Sequence, residues 1–262
     1  MKRLTAFPIV ILALFGLVSL TCSAPRRLFI AATPTASMAP TPTVTAIPTT
    51  IPTETPLPTA TKSTAGAYTD KLADGSTKFT DKKAGYQLVL SPAWIVIDLS
   101  SGNVQQAIAT TEALHPEQSG TIEAFRSLMN SNMRIFAIDT TPEHIVGMTT
   151  PTLFVLLDNT IPAMSLDFLV KMLAEQLPAE VPGMTVVFSE TRENPNGLRL
   201  GVIEVTMPVD DLYGNTIVGF ERAVLFQNQG YTVMIMMVAD AQLRPKVTPV
   251  FIAIEDTIKL LP

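Results

Sequence analysis

The stretch YTVMIMMV at residues 231–238 decides the fold of this chain. Side chains along a β-strand point alternately to the two faces of its sheet, so Met234 and Met236 share one face while Met237 lies on the other. Both faces of the strand are therefore apolar, which is typical of a strand covered on both sides. The pattern predicts that residues 231–238 form a central strand of the sheet.

The same stretch ends a series of strand-like segments that are separated by turn residues. Asn196-Gly197 suits a turn that needs a positive φ, and a second turn at residues 228–230 ends in Gly230 directly before the central strand. These segments predict an antiparallel meander of two hairpins. Its predicted strands are residues 185–191, 198–207, 216–227 and 231–238.

Before the meander the chain alternates between strand-like and helix-like segments. The predicted strands are residues 79–80, 86–90, 94–98, 133–138 and 152–157. The predicted helices are residues 104–114 and 122–129. The second of these helices places Ile122, Phe125 and Met129 on one face. Ser165 is predicted to cap a third helix. Its predicted apolar stripe ends at Pro178 and contains Phe168, Leu169, Met172, Leu173 and Leu177.

A final helix is predicted to cover an apolar face of the sheet. Thr248 can cap this helix, and Pro249 suits its first turn. The residues predicted to share one face are Phe251, Ile254, Ile258 and Leu261. The order of elements predicts an α+β fold, a mostly antiparallel β-sheet with helices packed against it, rather than a doubly wound α/β fold.

Residues 85–94, GYQLVLSPAW, resemble the opening motif of Mog1/PsbP-like domains, in which an aromatic and hydrophobic strand leads into a proline and a tryptophan. The helix at residues 251–261 resembles the last element of that family. One residue, rather than the usual two, separates Pro92 from Trp94. The resemblance implies an α/β/α sandwich and a non-enzymatic binding or assembly module, often an exported bacterial lipoprotein, with no common catalytic residues.

The N-terminus carries the features of an export signal. Lys2 and Arg3 precede an apolar segment at residues 7–20 whose length is typical of a secretory signal. Cys22, the only cysteine of the chain, lies two positions after this segment ends and is predicted to be the lipidation site of a bacterial lipoprotein. Leu20 lies one position later than in the usual lipoprotein motif.

Two alternatives to the lipid anchor stay open. Residues 4–24 are long and apolar enough to be an uncleaved membrane span. Cleavage after Ala24 would instead release a soluble protein, but Pro25 directly after that site disfavours the cut. With either membrane attachment, the folded part lies at the extracytoplasmic face of a bacterial membrane.

Threonine and proline dominate residues 33–62, and no apolar face repeats there. Such a composition predicts a disordered tether with polyproline II character, which could extend to about 90 Å. The predicted organisation is therefore a signal peptide or membrane anchor at residues 1–24, a disordered Thr/Pro-rich tether at 25–66, and a single α+β domain at 67–262.

Composition limits the chemistry of the predicted domain. With Cys22 in the anchor, the domain has no thiol for a disulfide, a nucleophile or a metal. The chain has only two histidines, His115 and His144, so a multi-histidine metal site is not expected. The net charge of -5 without a basic stripe predicts no nucleic-acid partner. No cofactor motif is present, and no cofactor is predicted.

Two loops contain candidate functional groups. Asp139, Glu143 and His144 are close in sequence and could form an acid/base set, although the pattern lacks a nucleophile. The loop with Asp210, Asp211 and Asn215 offers oxygen ligands for a calcium ion, but its spacing does not match an EF-hand and a solvated turn is favoured. His115 precedes Pro116 at a predicted helix end, which indicates a structural or surface role.

Charged and sulfur-containing residues of the meander have structural interpretations. Cross-strand pairs on its solvent face are predicted for Glu190, Arg192, Glu193, Glu204, Glu221 and Arg222. Met234, Met236 and Met237 are predicted to pack in the core. The flexible methionine side chains also suit an adaptable pocket for a hydrophobic ligand, which is the functional alternative.

The leading functional hypothesis is an exported, membrane-tethered lipoprotein whose domain binds a protein or envelope partner without catalysis. The first alternative is a carrier of a small hydrophobic ligand or lipid. The second is an extracytoplasmic hydrolase with an unfamiliar site at residues 139–144.

Overall fold

A computed structural model describes residues 66–100, 103–126, 129–147, 149–161, 163–210 and 216–262. The predicted signal or anchor, Cys22 and the predicted tether up to residue 65 lie outside the described residues. Among the helices that the structure describes, none combines the length and the apolar character needed to cross a membrane.

Seven antiparallel strands form the larger of two sheets. They are β4 (Trp94–Asp98), β5 (Met133–Asp139), β6 (Thr152–Asp158), β7 (Thr185–Glu193), β8 (Arg199–Asp210), β9 (Thr216–Asn228) and β10 (Tyr231–Asp240), in the spatial order β4-β5-β6-β10-β9-β8-β7. The apolar strand β10 takes the fourth place, between β6 and β9. The prediction of a central strand at residues 231–238 is confirmed.

A smaller antiparallel sheet has four strands. They are β1 (Ala67–Lys71), β2 (Thr77–Asp81), β3 (Tyr86–Leu90) and β11 (Lys259–Leu260), in the order β1-β2-β3-β11. The motif at residues 85–94 connects the two sheets, because β3 belongs to the small sheet and β4 to the large one. A turn closed by a hydrogen bond from Trp94 N to Ser91 O makes this transition, and the Trp94 side chain is buried.

Four helices complete the described structure, namely α1 (Val104–Leu114), α2 (Ser119–Arg126), α3 (Leu166–Glu180) and α4 (Arg244–Thr257). One apolar cluster places Ile108, Ile122 and Leu169 of α1, α2 and α3 against one face of the large sheet. A second cluster places Phe251 of α4 and Tyr86 of the small sheet against the opposite face. The large sheet is thus covered on both faces, and the predicted α+β fold and α/β/α layering are confirmed.

The two hairpins of the meander have the predicted turns. Gln229 and Gly230 have φ angles of 50° and 79°, as a two-residue hairpin turn requires. Gly197 has a φ of 73° in the turn between β7 and β8. The Asn194 amide attaches this turn to the end of α4, because its Nδ2 donates to Glu255 O at 3.0 Å and to Ile258 O at 2.7 Å.

Helix α3 differs from its prediction at two points. Ser165 caps it as predicted, but the predicted end at Pro178 is wrong, since the helix continues to Glu180 and Val181 N closes its last turn on Leu177 O. Phe168 is 58% exposed rather than buried. The buried face of the helix contains Val170 instead. A Cβ at Gly201 of β8 would lie 2.4 Å from Val170, so the glycine leaves the space that Val170 occupies against the sheet.

Helix α4 begins earlier than predicted. Asp240 caps a short 3-10 turn at Ala241–Leu243 that leads directly into the helix, and Pro245 is the proline of its first turn. Pro249 therefore lies inside the helix, and Thr248 is not its cap. The helix ends at Thr257, so Leu261 lies beyond it.

The helix predicted at residues 122–129 also has different ends. Helix α2 begins at Ser119 and ends at Arg126. Ile122 and Phe125 are buried as predicted, whereas Met129 lies outside the helix.

Candidate functional site

The predicted acid/base residues meet at the end of β5. His144 Nδ1 is hydrogen-bonded to Asp139 Oδ2 at 2.6 Å, and Asp139 Oδ1 accepts from both the backbone N and the Oγ1 of Thr141. Glu143 participates through its backbone, whose carbonyl accepts from Lys246 Nζ at 3.4 Å. Thr140 Oγ1 donates to Ala93 O. These bonds tie the loop to the start of β4 and to α4, which is a structural role.

A second polar group, which we call the ionic cluster, lies between the large sheet and α4. It comprises Arg192, Glu204, Arg222, Arg244 and Glu255. The Arg222 guanidinium binds Glu255 through Nε and Nη2 and binds Glu204 through Nη1. Arg192 also binds Glu255, and Arg244 donates to Glu204 Oε2 at 2.6 Å. Three cations thus surround two carboxylates.

The prediction that the charged residues of the meander pair on its solvent face is wrong for the residues of the ionic cluster. Glu204 and Arg222 lie opposite each other on β8 and β9, as predicted for a cross-strand pair, but both are buried. Glu190 and Glu193 are exposed, as predicted. The prediction failed because a strand with alternating charged residues has the same sequence pattern whether its charged face contacts water or a charged helix. Here α4 supplies Glu255, which is fully buried.

Burial disfavours the charge of Arg222, but its hydrogen bonds and charge interactions with Glu255 and Glu204 prevail and raise its pKa above the ordinary value. The guanidinium therefore stays charged. Arg244 also lies over the Phe220 ring, with its guanidinium carbon 5.5 Å from the ring centroid. The arrangement is a closed set of ion pairs whose main effect is to fix α4 on the sheet.

Glu221 is the third charged residue that was wrongly predicted to be exposed. It projects toward the face that α1, α2 and α3 cover, opposite to that of Arg222, and lies between Val205 of β8 and Val238 of β10. Its Oε2 is buried and has no hydrogen-bond partner among the described residues. Burial alone raises the pKa of Glu221 to about 8. Its carboxyl group is thus mostly protonated at neutral pH.

The methionine-rich strand is part of the core. Met234 and Met236 pack in the apolar cluster under α1, α2 and α3, and Met237 packs in the cluster under α4. This confirms the preferred interpretation of core packing.

A cavity of about 440 Å³ lies elsewhere, at the ends of β4 and β5. Its apolar lining residues are Leu99, Val104, Met129 and Met133, and its polar lining residues are Ser100, Asn130, Ser131 and Arg134.

The remaining candidates are the loop with Asp210, Asp211 and Asn215, and His115. Asp211 and Asn215 lie outside the described residues, as does the side chain of Asp210. No group of acidic, histidine or cysteine residues suited to a metal ion occurs within the described parts of the chain. His115 caps the end of α1 and lies 3.3 Å from Glu117, in agreement with its predicted structural role.

The surface feature that the sequence analysis missed is the free edge of β7. This strand ends the large sheet and pairs only with β8 within the described sheet. Val187 and Phe188 are 38% and 37% exposed at a β-bulge, and Val218 of β9 is 54% exposed. The available signal was the run Val186-Val187-Phe188, because consecutive apolar residues in a strand place apolar side chains on both of its faces. At the opposite end of the sheet, β4 buries Trp94 and Ile97.

No protein-family model matches the chain, and no curated protein matches it. Similar solved structures include PsbP from Synechocystis sp. PCC 6803, with a TM-score of 0.44 and 13% identity over 72% of this chain and 94% of that one. Another is the Ran-binding protein Mog1p of Saccharomyces cerevisiae, with a TM-score of 0.41 and 9% identity over 72% and 97%.

LpqN of Mycobacterium tuberculosis, which is involved in cell envelope biogenesis, has a TM-score of 0.35 and 11% identity over 51% of this chain and 81% of that one. The presence of PsbP and Mog1p agrees with the resemblance predicted from residues 85–94. All three TM-scores are below 0.5, and no functional residue is transferred.

Replacing Arg222 by methionine should destabilise the fold by about 3–5 kcal/mol, because Glu204 and Glu255 would be left buried without their shared cation. Urea unfolding followed by circular dichroism measures this change. Arg199→Met is the matched control, because the ion pair of Arg199 with Asp167 is exposed, and it should change the free energy of unfolding little. Equal losses in both variants would contradict a special role for Arg222.

The raised pKa of Glu221 predicts a pH-dependent stability. The unfolded chain loses this proton near the ordinary value of 4.5, whereas the folded chain keeps it until about pH 8. The free energy of unfolding should therefore fall between these pH values, in total by a few kcal/mol, on the order of 1.4 kcal/mol per unit of pKa difference.

Glu221→Gln should remove this decline, since glutamine does not ionise. Urea unfolding between about pH 5 and pH 8 tests it. Glu193→Gln at an exposed position is the control and should keep the wild-type slope. A wild-type slope in Glu221→Gln would show that other groups cause the decline.

Proposed function

We propose that this chain is an exported bacterial lipoprotein, anchored through Cys22 at the extracytoplasmic face of the membrane. Its folded part, residues 67–262, acts without catalysis and binds a protein partner. The observation that carries the binding role is the open edge of β7 with the exposed apolar residues Val187 and Phe188. Exposed apolar side chains beside an unpaired strand edge are typical of protein-binding surfaces.

The difference between the two ends of the large sheet supports this location. Strand β4 is five residues long and places Trp94 and Ile97 in the core, with Ile108 of α1 packed in the same cluster as Ile97. Strand β7 is nine residues long and most of its residues are exposed. A long exposed edge invites association unless a partner covers it. The β7 edge is therefore the better surface for a partner.

The proposed tether fits this role. A Thr/Pro-rich segment that is about 90 Å long when extended would let the domain reach partners well away from the bilayer. Attachment by a flexible segment also raises the local concentration of the domain near other envelope proteins.

The cavity at the ends of β4 and β5 favours a second candidate, a carrier of a small hydrophobic ligand. Its volume of about 440 Å³ lies within the range of about 300–1,000 Å³ of small-molecule sites. Native mass spectrometry of the purified chain separates the two candidates, because a carrier retains a lipid or other ligand of defined mass whereas a protein-binding domain does not.

Cys22→Ser should release the protein from the membrane. We expect the wild-type chain in the membrane fraction with a diacylglycerol adduct on Cys22, because the thiol is the acceptor of the lipid. Fractionation and the mass of the mature N-terminus measure this. Ser23→Ala is the neighbouring control and should stay in the membrane. An N-terminus that begins at Met1, with membrane retention of Cys22→Ser, would indicate an uncleaved span instead.

A photo-crosslinking amino acid at position 187 should capture a protein partner in the native bacterium. The same amino acid at position 114 is the control, because Leu114 is 70% exposed but lies on α1. We expect an adduct of higher mass from position 187 alone. Equal adducts from both positions, or none from position 187, would contradict a binding surface at β7.

A further inference from the structure

We propose that the partner presents an extended segment with apolar and basic side chains, and that this segment adds to the free edge of β7 as a further strand. The inference rests on the proposed function and specifies the chemistry of the partner. Strand addition supplies affinity through main-chain hydrogen bonds and specificity through the side chains beside the edge.

The backbone direction of β7 follows from its turn. Asn194 N donates to Leu198 O at 3.0 Å, so this pair is hydrogen-bonded at the end of the ladder. Hydrogen-bonded and non-hydrogen-bonded pairs alternate in antiparallel sheets. The N–H and C=O groups of Ser189, Thr191 and Glu193 therefore point away from β8, toward the free edge. An added strand would bond to these three residues.

The side chains along this edge carry negative charge. Glu190 is 42% exposed and its Oε1 lies 3.8 Å from Arg192 Nε, and Glu193 is exposed as well. Arg192, the only cation of β7, also binds the fully buried Glu255 of the ionic cluster. It is therefore shared between two carboxylates and offsets the charge of Glu190 only in part. The nearby cations of α3 and β8 are also paired, Lys171 with Glu175 and Arg199 with Asp167. Basic side chains of an added strand would complement Glu190 and Glu193.

The same charges argue against a second copy of this chain as the occupant. Two β7 edges brought together would place acidic side chains beside acidic side chains, and inward or edge charges of this kind disfavour self-association. A basic segment gains from the charges that repel a second copy.

The bulge at Val187 lies in the part of the β7 edge that has exposed apolar side chains. Pairing with β8 shifts between Val186 and Phe188, which interrupts the regular ladder there. Phe188 projects on the same face as Glu190, because the two residues are two positions apart along the strand. An apolar residue of the added strand would contact Phe188, and a basic residue two positions away would contact Glu190.

Hydrogen exchange of the full-length chain in a neutral detergent tests the inference. The probes are two peptides, Ac-TVTKKT-NH2 and Ac-TVTEET-NH2, which differ only in charge. We expect the lysine peptide to slow exchange of segment 185–193 by about tenfold, equivalent to about 1.4 kcal/mol. The glutamate peptide should have no effect. Segment 94–98, the strand at the opposite end of the sheet, should be unaffected by either peptide.

Two substitutions at Ser189 test the main-chain bonds. Ser189→Pro removes an N–H that points outward, so it should abolish protection by the peptide without breaking the ladder to β8. Ser189→Ala keeps that N–H and should retain the protection. If Ser189→Pro fails to fold, the double variant Glu190→Lys with Glu193→Lys replaces it and should be protected by the glutamate peptide instead.

Three outcomes would overturn the inference. The first is that the two peptides slow exchange of segment 185–193 equally or not at all, and the second is that Ser189→Pro or the double lysine variant leaves the effect of the peptides unchanged. The third is that exchange of this segment slows with rising protein concentration in the absence of peptide, which would indicate a second copy at the edge. A crosslinked partner from position 187 combined with any of these outcomes would leave the proposed binding role standing and remove only strand addition.

Discussion

The rest of the structure depends on the buried guanidinium of Arg222. It joins β9 to β8 through Glu204 and joins the sheet to α4 through Glu255. Removing charges from water is costly, and this cost is offset here because both carboxylates receive further hydrogen bonds from arginines at the rim. The same α4 carries Phe251 into the apolar core, so the ionic contacts and the apolar contacts fix one helix position together.

The strands of the large sheet could be predicted because alternation is a local property. Residues 231–238 showed two apolar faces, and the structure places them at the centre of the sheet. The ionic cluster could not be predicted, since an alternating charge on β8 or β9 does not indicate what lies opposite it. The start of α4 was missed because Thr248-Pro249 resembles a helix start as closely as Asp240 and Pro245 do. The β7 edge was missed because strand order is a property of the whole fold.

The two ends of the large sheet have different roles. Strand β4 follows the motif that connects both sheets, and its neighbours cover it, so this end serves stability. Strand β7 has exposed apolar and acidic side chains, and Arg192 attaches it to Glu255 of the ionic cluster. If the proposed partner binds at this edge, attachment of β7 to the ionic cluster would lower the entropic cost of association.

The smaller sheet has a consequence for the order of folding. Its strand β3 pairs with β11, which comes about 170 residues later in the chain, and Thr257 Oγ1 accepts from Val89 N across a similar separation. Contacts between such distant segments form slowly, because a long loop must close first. The smaller sheet, which contains β1, β2 and β3, is therefore complete only after residues 257–260 have joined it. A ribosome or a secretion channel that still holds those residues would leave the smaller sheet incomplete, and this delay would suit the proposed export of the chain in an unfolded state.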